Sequence, residues 1–278
     1  DEAQDTNRSQ IELAKKMVKP EGFFMAIGDE FQSLYGFRGA DANAVSNIIS
    51  EMKCETLPLS LSYRCCKAVG RLVNSNFPEI DFEVLDTAEE GIVDTVSEEK
   101  ASGMYQPGDM VLCRTNAPLV KPAFDLIRRG IKAVIRGRDI GKGLVTLIRK
   151  LQTDSMPEFL LALKAYSDKE VSKLMAQEKN AQAQAIQDKC DTILALSDGC
   201  DNTACLEDKI AMIFSDENTG VVFSSVHRSK GLEAKRVFVL HPELMPHPMA
   251  KKDWEKIQER NIKYVAYTRA QSELHIVA

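Results

Sequence analysis

An α/β fold built on a mostly parallel sheet is predicted by three features of this sequence. Short apolar runs alternate with amphipathic stretches through the first half of the chain. The runs vanish between about Asp139 and Glu217, where only helical patterns occur, so this stretch reads as a helical insertion. The alternation then resumes from GVVFSSVH to the last residue.

The elements follow in order. After the acidic opening DEAQD comes a helix whose apolar positions Ile11, Leu13, Ala14, Met17 and Val18 fall largely on one side, ended by glycine. GFFMAIGDE, an apolar run closed by acids, predicts a buried parallel strand that delivers Asp29 to the carboxyl edge of a sheet, where ligands usually sit. A helix is predicted from Asp41 through Glu51, a strand around Cys54 to Leu59, and a helix over Lys67 to Asn74. DMVLCR reads as a strand, Pro118 to Arg129 as a helix and GIKAVIRG as a strand. The insertion contains a polar, Lys/Gln/Ala-rich helix from Asp168 to about Leu196. GVVFSSVH and AKRVFVLHP are strands, Lys252 to Thr268 is a helix, and ELHIVA is a final, structural strand.

Composition narrows the class. With 278 residues, 44% hydrophobic and 28% charged, the chain has the make-up of a globular protein of one large or two ordinary domains. No apolar run approaches the ~20 residues that span a bilayer. The first ten residues lack the basic start and apolar stretch of a signal peptide, so no membrane association and a cytoplasmic location are expected. Seven cysteines, none spaced as CxxC, suggest reduced, buried thiols rather than a disulfide framework or zinc site. The four histidines form no helical ligand pair. A net charge of −5 argues against nonspecific coating of nucleic acid, while leaving room for local basic stripes.

Paired carboxylates at a strand end suit nucleotide hydrolysis, one holding magnesium and its neighbour accepting a proton from water; Asp1 and Glu2 are such a pair. DEAQDTN is followed at a short interval by GDEFQSLYGFRGAD, and the two together resemble motifs II and III of the UvrD/Rep-type superfamily 1 DNA helicases. The resemblance implies ATP and Mg2+ as cofactors, Asp1 as the magnesium ligand, Glu2 as the activator of water and Gln32 as the sensor of the terminal phosphate. It also implies contact between DNA and Tyr35, Phe37 and Arg38, whose mixture of aromatic faces and a cation suits single-stranded bases. Many relatives carry tryptophan where this chain has Phe37.

Further motifs follow in family order. LPLSLSYRCC resembles motif IV, which implies that Tyr63 packs on adenine and Arg64 reaches the γ-phosphate; Ser62 replaces the family's common asparagine. MVLCRTNAP places Arg114 and Asn116 where relatives meet the DNA backbone, although a helix cap at Thr115 or Asn116 explains the same residues. VVFSSVHRSKGLEAKRVFVL resembles motif V, implying DNA contact by Ser225 and His227 and nucleotide binding by Lys230 and Glu233. YVAYTRAQSELHIV resembles motif VI, with Arg269 as a second γ-phosphate arginine. Two arginines on a different domain from the carboxylates would couple domain closure to phosphoryl transfer.

The implied organisation is a partial first RecA-like motor domain over residues 1–60, a second RecA-like motor domain over 61–138 and 218–278, and a helical accessory insertion over 139–217. RGRDIGKG does not have the spacing of a phosphate loop, nor a hydroxyl residue after Lys142. The family's loop lies upstream of the acidic pair, so this chain alone is expected not to hydrolyse ATP. Its missing upstream portion of the first motor domain is an expected partner, as is single-stranded DNA or a duplex/single-strand junction. The run Gly22 to Gly28 is expected to lack sheet neighbours and to be disordered or swapped. The leading expectation is an ATP-driven translocase on single-stranded DNA, 3′-to-5′ by resemblance. The alternatives are a non-catalytic DNA- or protein-binding module and the helicase part of a helicase-nuclease.

Overall fold

The computed structural model describes residues 1–278 except 20, 37, 38, 42, 154 and 218. Its centre is a parallel seven-stranded sheet ordered β3-β9-β8-β4-β7-β5-β6. The strands are β3 (Ile92–Val96), β4 (Met110–Cys113), β5 (Ala133–Arg136), β6 (Phe214–Ser215), β7 (Val221–Ser225), β8 (Ala234–Leu240) and β9 (Ala270–Val277). A separate two-stranded parallel pair joins β1 (Leu61–Ser62) to β2 (Glu83–Val84).

Both faces of the large sheet are covered, which is why its strands read as continuous apolar runs. Side chains alternate between faces along a strand. Val111, Cys113, Phe238 and Leu240 join one buried cluster, while Met110, Leu112, Val237 and Val239 join the other. The first cluster packs under α5 (Ala117–Arg128), α6 (Arg138–Leu151), α7 (Met156–Ala176), α8 (Asn180–Ser197) and α9 (Thr203–Ile213). The second lies under α3 (Lys67–Asn76) and α11 (Asp253–Tyr267). Among the described residues, no helix is long and apolar enough to cross a membrane.

The strands predicted from DMVLCR, GIKAVIRG, GVVFSSVH, AKRVFVLHP and ELHIVA all form. The polar helix expected over Asp168 to Leu196 is instead parts of two, α7 and α8, separated where Glu178 turns to φ 56. β3 and α4 (Glu98–Met104) had no counterpart in the sequence reading. At the junction into β7, Gly220 has φ 78, and a Cβ there would lie 2.1 Å from the Lys132 carbonyl oxygen.

The early segment departs from expectation. Residues 22–28 form no strand; Phe23 and Met25 stand 84% and 64% exposed, and the Ala3 N–H to Ile27 O bond of 2.9 Å ties the run to its neighbour. The run around Cys54 to Leu59 forms no strand either, and Leu59 is 92% exposed. An apolar run becomes a strand only where a neighbour completes its ladder, and among the described residues neither run has one. What orders this segment is a small cluster of Ala3, Ile11, Ala44 and Ile48, which joins α1 (Arg8–Met17) to α2 (Ala44–Met52). The cysteines also correct the expectation of burial: Cys65, Cys66, Cys113 and Cys190 are buried, but Cys54, Cys200 and Cys205 are half-exposed.

Candidate functional site

A groove of about 480 Å³ opens beyond the carboxyl ends of β4, β5 and β7, between α8 and α11. Ligands of open parallel sheets bind at such edges. Arg114 and Asn116 enter it from the loop after β4, Arg136 from the end of β5, and Ser225, His227 and Lys230 from the end of β7 and α10 (Val226–Ser229). Tyr35 enters from the early segment: its hydroxyl donates to the His227 carbonyl at 3.2 Å, and the Lys230 ammonium stands 5.5 Å from its ring centre. Five predicted DNA-contact residues, spread from 35 to 227 in the chain, therefore share one groove. Phe37 and Arg38 lie outside the described residues.

The groove is electrically mixed, lined by Arg114, Arg136, Arg228 and Lys230 but also by Asp188, Asp216, Glu255 and Glu259. Arg114 Nε donates to Glu259 at 2.9 and 3.0 Å, and its Nη2 to Glu259 Oε1 at 2.5 Å and Gln184 Oε1 at 3.1 Å. The backbone and side-chain amides of Asn116 each donate to Asp188 at 2.7 Å, while Asn116 Oδ1 is buried with no partner. Burial pushes the Asp188 carboxyl up, and these amides oppose it. A phosphate entering here must exchange with internal carboxylates.

A second group forms around Glu233. Arg64 pairs with it, and Gln271 Nε2 donates to its other oxygen at 2.9 Å. The guanidinium beside Glu233 holds its carboxyl below the usual range. Tyr63, which precedes Arg64 in the chain, is 80% exposed. Arg269 is buried, donating from Nε to Val265 O at 3.1 Å, from Nη1 to Leu232 O at 3.1 Å and from Nη2 to Thr268 Oγ1 at 3.2 Å. Burial, with the Arg64 charge nearby, lowers its pKa to about 10.

The acidic residues form a third group. Asp1 and Glu2 are exposed, and Lys230 Nζ reaches Glu2 Oε2 at 2.7 Å and Asp5 Oδ2 at 2.5 Å. Burial raises both carboxyls, but at Glu2 the Lys230 bond and charge and the Gln4 amide outweigh it, so Glu2 is lowered while Asp5 is raised. Gln32 Nε2 donates to Asp29 Oδ2 at 2.7 Å. Among the described residues no three His, Cys, Asp or Glu side chains stand together as a metal site.

Sequence reasoning missed several groove residues. Trp254, the only tryptophan, lines the groove from the first turn of α11, and its rarity was the one available signal. Glu259 and Asp188 had none, because their partners lie 145 and 72 residues away.

Residues 1–53 match the UvrD/REP helicase N-terminal domain, and residues 140–278, half of the chain, match the UvrD-like helicase C-terminal domain. The chain is 39% identical over 75 residues to the DNA helicase II of Haemophilus influenzae, a match covering 27% of this chain and 10% of that protein. It is 37% identical over 78 residues to the ATP-dependent DNA helicases PcrA of Staphylococcus aureus and Bacillus subtilis, each match again covering 27% of this chain and 10% of the relative. These matches thus span about a tenth of the length of the curated relatives.

Proposed function

The chain belongs to the UvrD/Rep-like superfamily 1 DNA helicases, and from that premise we propose that it is the part of an ATP-driven, 3′-to-5′ translocase that grips single-stranded DNA and senses nucleotide. The observation that carries this reading is the single groove shared by Tyr35, Arg114, Asn116, Ser225 and His227. Aromatic faces and cations at the carboxyl edge of a parallel sheet suit a strand of stacked bases with its phosphates. In this reading residues 1–60 belong to a first motor domain, 61–138 and 218–278 to a second, and 139–217 to an accessory insertion.

The nucleotide would meet the group around Glu233, with Tyr63 as the platform for its base and Arg64 as the cation for its terminal phosphate. Those residue types fit a nucleotide: an exposed ring beside a guanidinium recognises base and phosphate. The described residues do not by themselves fit magnesium, since Asp1 stands without a second and third ligand. No step is therefore assigned to the metal, and the 278-residue chain is expected not to hydrolyse ATP alone. A cytoplasmic location goes with this reading.

The test is titration of the chain into a labelled single-stranded oligonucleotide at several salt concentrations. The reading expects salt-dependent binding that Arg114→Ala and Tyr35→Ala weaken, and preference for single strands or junctions over blunt duplex. Absence of binding at low salt would remove it. A second reading, a holding module without catalysis, is favoured by the pairing of Arg64 with Glu233 inside the chain. A fluorescent ATP analogue separates the two: binding that Arg64→Ala weakens supports the motor, and no binding supports the module.

A further inference from the structure

Two cysteines of the helical insertion lie apart from all three groups described above. Cys200 sits in the turn after α8, next to Gly199 at φ 68. Cys205 lies in the first turn of α9, where its backbone N–H donates to the Asn202 side chain at 2.9 Å. The Cys205 thiol donates to Cys200 Sγ at 3.3 Å, and both residues are half-exposed. Lys209, one turn further along α9, donates to the Asp198 carbonyl. Burial raises the Cys200 thiol, and the Lys209 ammonium opposes that rise.

A disulfide requires the sulfurs to approach by a further ~1.3 Å, and a glycine-containing turn is the segment that can make that shift. The two half-exposed thiols touch one another, and the Lys209 ammonium beside Cys200 offsets part of the rise that burial and the Cys205 bond impose, so the contact geometry is what prepares the pair for exchange.

We propose that Cys200 and Cys205 are a reversible redox pair that closes to an intrachain disulfide by exchange with a small-molecule disulfide such as oxidised glutathione. The Cys200 thiolate attacks one sulfur of the oxidant, forming a mixed disulfide and expelling one thiolate, which takes up the proton that Cys200 gave up. The Cys205 thiolate then attacks Cys200 Sγ and expels the second small thiolate, which takes up the proton from Cys205. Two electrons pass from the protein to the oxidant, and two small thiols leave. The bond ties the turn after α8 to α9. Because α8 also carries Gln184 and Asp188, which hold Arg114 and Asn116, the clamp lies on the helix that walls the groove.

The experiment treats the full, pre-reduced chain with oxidised glutathione, then denatures it, alkylates remaining thiols and maps each cysteine by fragment mass spectrometry. The proposal expects Cys200 and Cys205 to lose alkylation together, with a mass lower by two hydrogens, no retained glutathione and full recovery on reduction. Cys190, buried on the same helix, should be alkylated after denaturation. In Cys205→Ser, glutathione should stay on Cys200; in Cys200→Ser the closed product should vanish. Circular dichroism of both variants verifies that they fold. Alkylation of both cysteines in the treated wild type, or glutathione retained on either, overturns the proposal.

Discussion

Lys230 Nζ lies 2.5 Å from Asp5 Oδ2, although 225 residues separate the two in the chain. The same ammonium meets Glu2, so one largely buried cation joins the acidic opening of the chain to the loop that leads to Glu233. This is one of the polar links between the early segment and the rest of the fold, and it makes the acidic motif sensitive to a residue of the loop after α10.

Lys230→Met should therefore loosen the first residues rather than the sheet. Removing the cation strands the half-buried Asp5; since Glu2 is exposed, the expected loss is about 1–3 kcal/mol, below that of a fully buried pair. Hydrogen exchange should report faster opening of residues 3–17 with the protection of β4 and β8 unchanged. The pH dependence follows from the shifts. Lys230 is raised, so its contribution is present below the ordinary lysine value of 10.5 and is lost as pH climbs past the folded value. Glu2 is lowered, so its contribution is present above 4.5 and is lost as pH falls through the folded value. Asp5, raised, works against the pair as pH rises through the acid range. The difference between wild type and Lys230→Met should narrow at both extremes, and a difference that persists at alkaline pH would exclude the ion pair as its cause.

Much of this arrangement was legible in the sequence. The five central strands were readable because each contains a short apolar run, and heptapeptide His227 to Glu233 located the loop that carries Lys230. The early runs misled for the same reason: apolarity marks a strand but does not supply its neighbour, and Phe23 and Leu59 end in solvent. Pairings such as Arg114 with Glu259 could not be read, because a carboxylate on an exposed-looking helix carries no mark of the arginine it will meet.

Glu259 restrains Arg114, and Glu259→Gln is expected to release it. The glutamine keeps the shape and an acceptor oxygen but loses the charge that makes the forked contact strong. If the groove takes a phosphate backbone, affinity for single-stranded DNA should rise several-fold, and the log–log salt slope should steepen by about 1 as one more cation engages. Glu259→Ala differs, since it strips a buried guanidinium of its partner, and should cost about 3–5 kcal/mol in denaturant unfolding. An unchanged salt slope in Glu259→Gln would mean that Arg114 is structural.

Arg269 is as much a part of the core as of any phosphate site. Each of its three nitrogens donates, to Val265, Leu232 and Thr268, so Arg269→Ala leaves the Leu232 carbonyl without this donor and opens a cavity. The expected loss is about 2–4 kcal/mol. Arg269→Lys keeps the charge without the planar fork and should lose about 1–2 kcal/mol. Thermal unfolding of both variants checks the order; if Arg269→Ala unfolds like wild type, the buried bonds do not hold the motif in place.

The turn that carries Gln32 is held from α11 by two side chains, Asn261 and Tyr264. Asn261 Nδ2 donates to the carbonyls of Glu30 and Ser33, each at 3.1 Å, and the residue is buried. Beside it the Tyr264 hydroxyl donates to Asp29, the carboxylate that also receives Gln32. Asn261→Ala should cost about 1–3 kcal/mol by leaving two carbonyls short of a donor. Asn261→Asp should cost more despite its matching shape, because an ionised carboxylate has no proton to offer and would face two carbonyl oxygens. Lowering the pH through the carboxylate range should then rescue Asn261→Asp but not Asn261→Ala, since protonation restores a single donor. Exchange protection of the Gln32 and Ser33 amides, which bond to Asp29 O and Glu30 O, measures the effect at the turn itself. Equal tolerance of Ala and Asp would show that packing, rather than the forked amide, fixes Gln32.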